Sequence, residues 1–193
     1  MKIIAGLGNP GAKYETTRHN AGFLALDNLV DHWKATGPSS VGEGETWQAT
    51  VAGEKVLFVK PLTFMNNSGR CIAPLMKFYK LKPEDLIVMH DDLDLKSNVL
   101  RIKTGGGTAG HNGLKSIDAH LGAGQTDYHR IRMGIGRPAP GSPIEVVDFV
   151  LQQYTDQELI GLNNLFEKIV TACERIIRGD IKGAMGEFNR EPV

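Results

Sequence analysis

Met1-Lys2-Ile3-Ile4-Ala5-Gly6-Leu7-Gly8-Asn9-Pro10-Gly11 opens the chain, and the reading of its glycines decides the fold. Lys2 to Leu7 is a short apolar run that ends in a glycine turn, the pattern of a buried strand. Gly6-Leu7-Gly8-Asn9-Pro10-Gly11 then matches G-x-G-x-x-G, the dinucleotide-binding fingerprint. That fold needs its third glycine at the start of a helix and an acid at the end of a second strand. Here Ala12 to Thr17 is polar and aperiodic, and helical spacing begins only near Ala21, with Phe23, Leu26, Leu29, Val30 and Trp33. Asp27 and Asp31 fall inside that helix. The glycines are therefore read as a tight turn that aims Asn9 into a cleft, not as a nucleotide cradle.

Working outward, Gly37 to Gly44 reads as a polar loop, and Thr46–Val51 with Lys55–Val59 as a hairpin around Ala52-Gly53-Glu54. Pro61 to Ser68 is a loop, followed by a helix over Gly69 to Tyr79 that Pro74 should kink. Leu86 to Met89 is a buried strand ending at His90-Asp91. Val99 to Lys103 and Arg130 to Ile135 are further strands, with a glycine loop and a helix over Asn112 to Leu121 between them. Pro138 to Pro143 is the best hinge. The last long helix spans about Asp156 to Arg178, with a Thr155/Glu158 capping box at its start and Gly179 at its end. Strands alternating with helices predict an α/β fold: a single domain over residues 1–193, a mixed twisted β-sheet flanked by helices on both faces, and a candidate lid at 138–150.

Composition narrows the function classes. Apolar residues make up 41% and charged residues 23% of 193, ordinary for a globular chain. No apolar stretch approaches a membrane span, and the opening residues, which read as a strand with no basic n-region before an apolar core, predict no signal peptide. Cys71 and Cys173 both fall in apolar helical patterns and read as buried, inert thiols in a reducing cytoplasm. Net charge is zero, but between Lys96 and Arg137 seven basic residues face two acids, a net +5. Such a segment suggests a local anionic site, although a solvated face with chance bias reads equally well.

Polar residues suited to chemistry cluster in loops: Asn9; His19 and Asn20; Asn66 and Asn67; His90 to Asp94; His111 and Asn112. In α/β sheets ligand sites gather beyond the carboxyl ends of strands, so these loops would share one cleft. A lone loop histidine is most often an ordinary surface residue. His19 gains weight because Asp91, at another strand end, could hold its imidazole, and asparagines surround it, as a water-activating base requires. There is no G-x-S-x-G, and Ser68 reads as a helix cap, so direct attack by water is favoured over a covalent intermediate. The His90-Asp91-Asp92-Leu93-Asp94 run could instead hold a metal in a phosphoesterase, but side chains alternate along a strand and no second carboxylate cluster completes a site. A non-catalytic RNA-binding protein, using the basic segment alone, is a further reading.

The blocks Gly6–Gly11, Tyr14–Gly22, Thr63–Gly69 and Gly110–Lys115, with the His90–Asp94 run, resemble bacterial peptidyl-tRNA hydrolase in order and spacing from Met1 to about Arg190. The resemblance implies hydrolysis of the ester between a peptide and the terminal ribose of tRNA, with His19 as base, Asp91 orienting it and Asn9 telling blocked from free aminoacyl groups. It implies that Tyr14, Phe64, Met65, Asn66 and Asn112 contact the peptide and the 3′ end. Lys103 and Arg132 would hold tRNA phosphate. It further implies a cytoplasmic monomer that needs no cofactor and no metal. The sequence departs from the family pattern at Asn67, at Thr108-Ala109 and at Lys96-Ser97-Asn98.

Overall fold

Lys2–Gly6 forms the middle strand, β1, and buries both of its faces: Ile3 and Ala5 enter one hydrophobic core and Ile4 the other. A strand covered on both sides has no polar face to show, which is why it reads as an unbroken apolar run. In the computed structural model, which describes residues 1–190, six further strands follow: β2 Thr36–Val41, β3 Gly44–Val51, β4 Glu54–Pro61, β5 Leu86–Asp92, β6 Leu100–Thr104 and β7 His129–Gly134. The helices are α1 Ala21–His32, α2 Ser68–Phe78, α3 Asn112–Leu121, α4 Val146–Val150, α5 Asp156–Ile177 and α6 Ile181–Phe188. The sheet order is β2-β3-β4-β1-β5-β7-β6. β4, β1, β5 and β7 run parallel, while β2, β3 and β6 pair antiparallel, so the sheet is mixed as expected. One core joins Ile4, Phe58, Met89 and Ile131 of the sheet to residues of α1, α5 and α6; the other joins Ile3, Leu57 and Val88 to α2 and α3.

Two expectations are corrected. Residues 36–41 are a strand, not a loop; β2 is exposed along its whole length, so no apolar alternation marks it. β5 runs on through His90, Asp91 and Asp92, all buried. α2 carries Pro74 within it, as the sequence reading has it. The Thr155/Glu158 capping box is present, and Gly179, at φ +85°, follows the end of α5. Gly6 has a role besides turning the chain. A Cβ at Gly6 would overlap the carbonyl oxygen of Gly22, and one at Gly22 would overlap that of Met89. These two glycines let the start of α1 sit directly on the ends of β1 and β5.

The edge strand β6 is closed by a side chain. Asn189 accepts from Ile102 N at 2.8 Å and donates to Ile102 O at 2.9 Å, occupying the positions a further strand would take. Both cysteines are free and buried. Burial, with help from Glu43, pushes the Cys71 thiol up to about 11, and burial alone raises that of Cys173, so neither is a nucleophile at neutral pH.

Candidate active site

The turn after β1 is fixed by reciprocal asparagine bonds. Asn20 accepts from Asn9 N at 2.8 Å and donates to Asn9 O at 3.0 Å. The Asn9 side chain in turn accepts from Met65 N at 2.8 Å through its carbonyl oxygen. That bond fixes which end of the Asn9 amide is which and leaves its Nδ2 donors for the cleft that Asn9 lines. Asn20 thus holds the backbone of Asn9 rather than facing substrate, and it is 1% exposed. Ser68 is not a cap: it stands inside α2 and donates to Met65 O at 2.8 Å, while Asn67 occupies the N-cap position.

Asp91 lies near the end of β5, 3% exposed, between two histidines. Its Oδ2 is 2.9 Å from His19 Nδ1 and its Oδ1 is 2.8 Å from His111 Nε2. An ionised carboxylate only accepts, so both ring nitrogens carry hydrogens toward it. Burial opposes the Asp91 charge, but the two histidines hold its carboxyl far below the usual range. On His111 the other nitrogen, Nδ1, accepts from Gly113 N at 3.2 Å and Leu114 N at 3.4 Å, making it the N-cap of α3. His111 is therefore a neutral donor. On His19 the remaining nitrogen is Nε2, a free lone pair in the neutral ring. Burial works against the His19 imidazolium, but the charge and hydrogen bond of Asp91 outweigh it and raise the pKa. His90, packed edge-on to His111 with ring centroids 4.9 Å apart, is the opposite case. Burial drives its pKa down to about 3, and it donates from Nδ1 to Asp91 O at 2.8 Å.

These groups line a cleft of about 500 Å³. Of the expected site residues it brings together Asn9, His19, Met65, Asn66, Asp91 and Asn112. Asn66 and Asn112 are exposed to its space, and Val146, Val147, Val150 and Leu151 form an apolar wall. Tyr14 and Phe64 are not among the described lining residues; they pack edge to face, centroids 6.4 Å apart, on the turns that carry His19 and Met65. Lys103 and Arg132 also lie outside the lining, on one face of the β6–β7 pair, where Arg101 stands opposite Arg132 and Lys103 opposite Arg130. The basic segment is less available than its charge count suggested. Arg130 is buried on Gly106 O and Gly107 O, Arg132 pairs with Asp92 at 2.8 Å, and Arg137 pairs with Asp94 at 2.6 Å. The fold returns to the segment acids that precede it in sequence.

The family model described as peptidyl-tRNA hydrolase matches residues 3–193. The chain belongs to the peptidyl-tRNA hydrolase family. A Bacillus cytotoxicus relative named peptidyl-tRNA hydrolase is 47% identical over 98% of this chain and all of its own. One from Bacillus subtilis is 46% identical over 98% of each. The crystal structure of peptidyl-tRNA hydrolase from Acinetobacter baumannii superimposes with a TM-score of 0.90 at 36% identity, covering 98% of this chain and 95% of that one. In this member of the peptidyl-tRNA hydrolase family, His19, Asp91 and His111 place ligand-type atoms within 4.8 Å of one another. A cation there would have to break both bonds to Asp91 and strip the proton from His111 Nε2 while its Nδ1 caps α3. The donor set suits a hydrogen-bonded triad better than a metal. The residues missed by sequence reasoning are His111, given no role, and Asn20, counted only as an amide near the base. A histidine just before the first helical residue, where Ser, Thr, Asp or Asn is usual, is the signal that could have singled out His111.

Proposed function

We propose that this chain hydrolyses the ester bond joining a peptide to the terminal ribose of tRNA, releasing tRNA for reuse. The observation that carries this reading is the His19–Asp91–His111 array, which leaves His19 Nε2 as the one free ring nitrogen of the pair facing Asp91, beside a cleft rich in amides. Neutral His19 takes a proton from water as that water attacks the ester carbonyl, and Asp91 stabilises the imidazolium that forms. Asn66, together with Nδ2 of Asn9, supplies donors for the developing oxyanion. The ribose alkoxide is a far better leaving group than an amide anion and takes its proton from the His19 imidazolium as it departs, so one base and a few donors suffice. Asn112, Met65, Tyr14 and Phe64 contact the peptide and the 3′ end, and Lys103 and Arg132 meet phosphate on the open face of β6–β7. The enzyme works as a cytoplasmic monomer; no helix among the described residues is long and apolar enough to cross a membrane. Residues 138–150, irregular up to α4 and then presenting Val146 and Val147 to the cleft, act as its lid.

The test is release of labelled peptide from N-blocked aminoacyl-tRNA, with and without EDTA. His19→Ala should lower kcat by about 10²- to 10⁴-fold with KM little changed. Wild-type turnover by that variant would remove the proposed base. Loss of wild-type activity in EDTA would favour metal chemistry instead.

A further inference from the structure

The residue immediately before the proposed base carries a buried guanidinium whose partners all come from the far end of the chain. Arg18 is 8% exposed. Its NH2 binds both carboxylate oxygens of Glu158, at 2.9 and 3.0 Å, and its NH1 reaches Gln152 Oε1 at 3.3 Å and Gln153 O at 3.4 Å. The guanidinium lies 4.7 Å from the ring centroid of Phe149 and 5.8 Å from that of Tyr154. The backbone follows the same path: Arg18 N donates to Gln152 O at 3.0 Å, and Tyr154 N to Thr16 O at 2.8 Å.

Two elements meet at this fork. Glu158 is also the capping-box residue of α5, accepting from Thr155 N at 2.8 Å. Phe149 belongs to α4 and Gln152 lies just beyond it, in the segment that provides the apolar wall of the cleft through Val146, Val147, Val150 and Leu151. The base and the wall therefore reach the cleft from opposite sides of one buried side chain. Glu158 keeps 27% of its side chain exposed, so the pair adds little stability, and what the fork does fix is geometry. Arginine holds two terminal nitrogens in one plane, here one on Glu158 and one on Gln152 and Gln153, beside a flat face for Phe149; lysine offers a single point charge.

We propose that Arg18 is a positioning residue, which sets His19 at a fixed distance from the apolar wall, so that an acyl group lying on the wall presents its carbonyl to water held by His19. The inference rests on the reading of His19 as base. Arg18 contributes to turnover and not to tRNA affinity, because it is buried away from the cationic face of β6–β7.

The experiment compares Arg18→Lys, Glu158→Gln, Thr155→Ala and His19→Ala in the full chain, measuring kcat, KM and melting temperature with N-blocked aminoacyl-tRNA. Arg18→Lys should lower kcat by about 10- to 100-fold with KM within about twofold, the size expected of a small misplacement. Glu158→Gln keeps the cap geometry and should show a smaller loss in kcat alone. Thr155→Ala weakens the same cap without touching Arg18 and should lower the melting temperature while keeping kcat. Unchanged kcat in folded Arg18→Lys or Glu158→Gln overturns the proposal, as does a rise in KM alone. A kcat loss in Thr155→Ala equal to theirs at matched melting temperature assigns the clamp a structural role only. If Arg18→Lys does not fold, Glu158→Gln decides. If His19→Ala retains wild-type turnover, the reading of the base falls and takes this inference with it. If His19→Ala is inactive while the clamp variants match wild type, only the inference falls.

Discussion

Asp91 is the residue on which the site turns, because its two oxygens hold one histidine to be a base and another to be a neutral donor. Asp91→Asn keeps the size but replaces one acceptor by a donor. With His111 still donating, the amide's NH₂ would face His19 and favour the tautomer whose Nδ1 accepts, placing the proton on Nε2. We expect kcat to fall by about 10²- to 10⁴-fold. The pH profile should move as well. A base works deprotonated, so kcat/KM rises with pH through the His19 pKa, which Asp91 raises above its ordinary value of about 6.5. Without the anion only burial remains, and burial lowers that pKa; the acid limb of the residual activity should shift to lower pH. Rate measurements across the acid limb check both statements, and a limb unmoved in Asp91→Asn would count against the electrostatic role. The types of His19 and Asp91, and the place of Asp91 near a strand end, were legible in the sequence. Their contact was not, because 72 residues separate them and only the parallel pairing of β1 with β5 brings the two turns together. The contact of the second histidine with Asp91 was hidden for the same reason, although its place just before α3 marked the residue itself.

At the scale of elements, the strands and helices with a clear apolar pattern were readable and those without one were missed. β2, Thr-Gly-Pro-Ser-Ser-Val, is exposed throughout and is recruited by pairing with β3 alone. α6 has two glycines in eight residues, poor helix formers, and is held by its Asp180 cap and by burial of Ala184 and Phe188. This contrast makes helical glycines informative. Gly22 in α1 abuts the Met89 carbonyl, whereas Gly186 in α6 faces open space. Gly22→Ala should destabilise the fold by about 1–3 kcal/mol despite alanine's better helix propensity, because strand β5 cannot retreat. Gly186→Ala should stabilise it by up to about 1 kcal/mol. Denaturant midpoints give both numbers, and a neutral Gly22→Ala would mean that the close approach of α1 to the sheet is not required.

Across the whole molecule, sequence counting found the basic segment but not its neutralisation. Arg132 and Arg137 meet Asp92 and Asp94, which β5 and the turn after it return to their side. Lys103, half-buried beside them, has no acid within ion-pair distance among the described residues. Lys103→Ala should therefore raise KM several-fold with kcat little changed, and reduce the slope of log affinity against log salt by about 1. Arg132→Ala should do more than remove a phosphate contact, since it also frees Asp92 in the cleft lining. An unchanged salt slope in Lys103→Ala would move the phosphate contact elsewhere. The overall α/β architecture was legible because alternating elements and apolar runs depend on local spacing, whereas charge neutralisation depends on which strands become neighbours. The Asn189 amide on the open edge of β6 has a consequence of another kind. An unpaired edge invites a strand from a second molecule, and here one primary amide fills that vacancy without offering an edge of its own. The side chain thus ends the sheet at Ile102 rather than extending it, and it shields that flank together with the packing of α5 and α6.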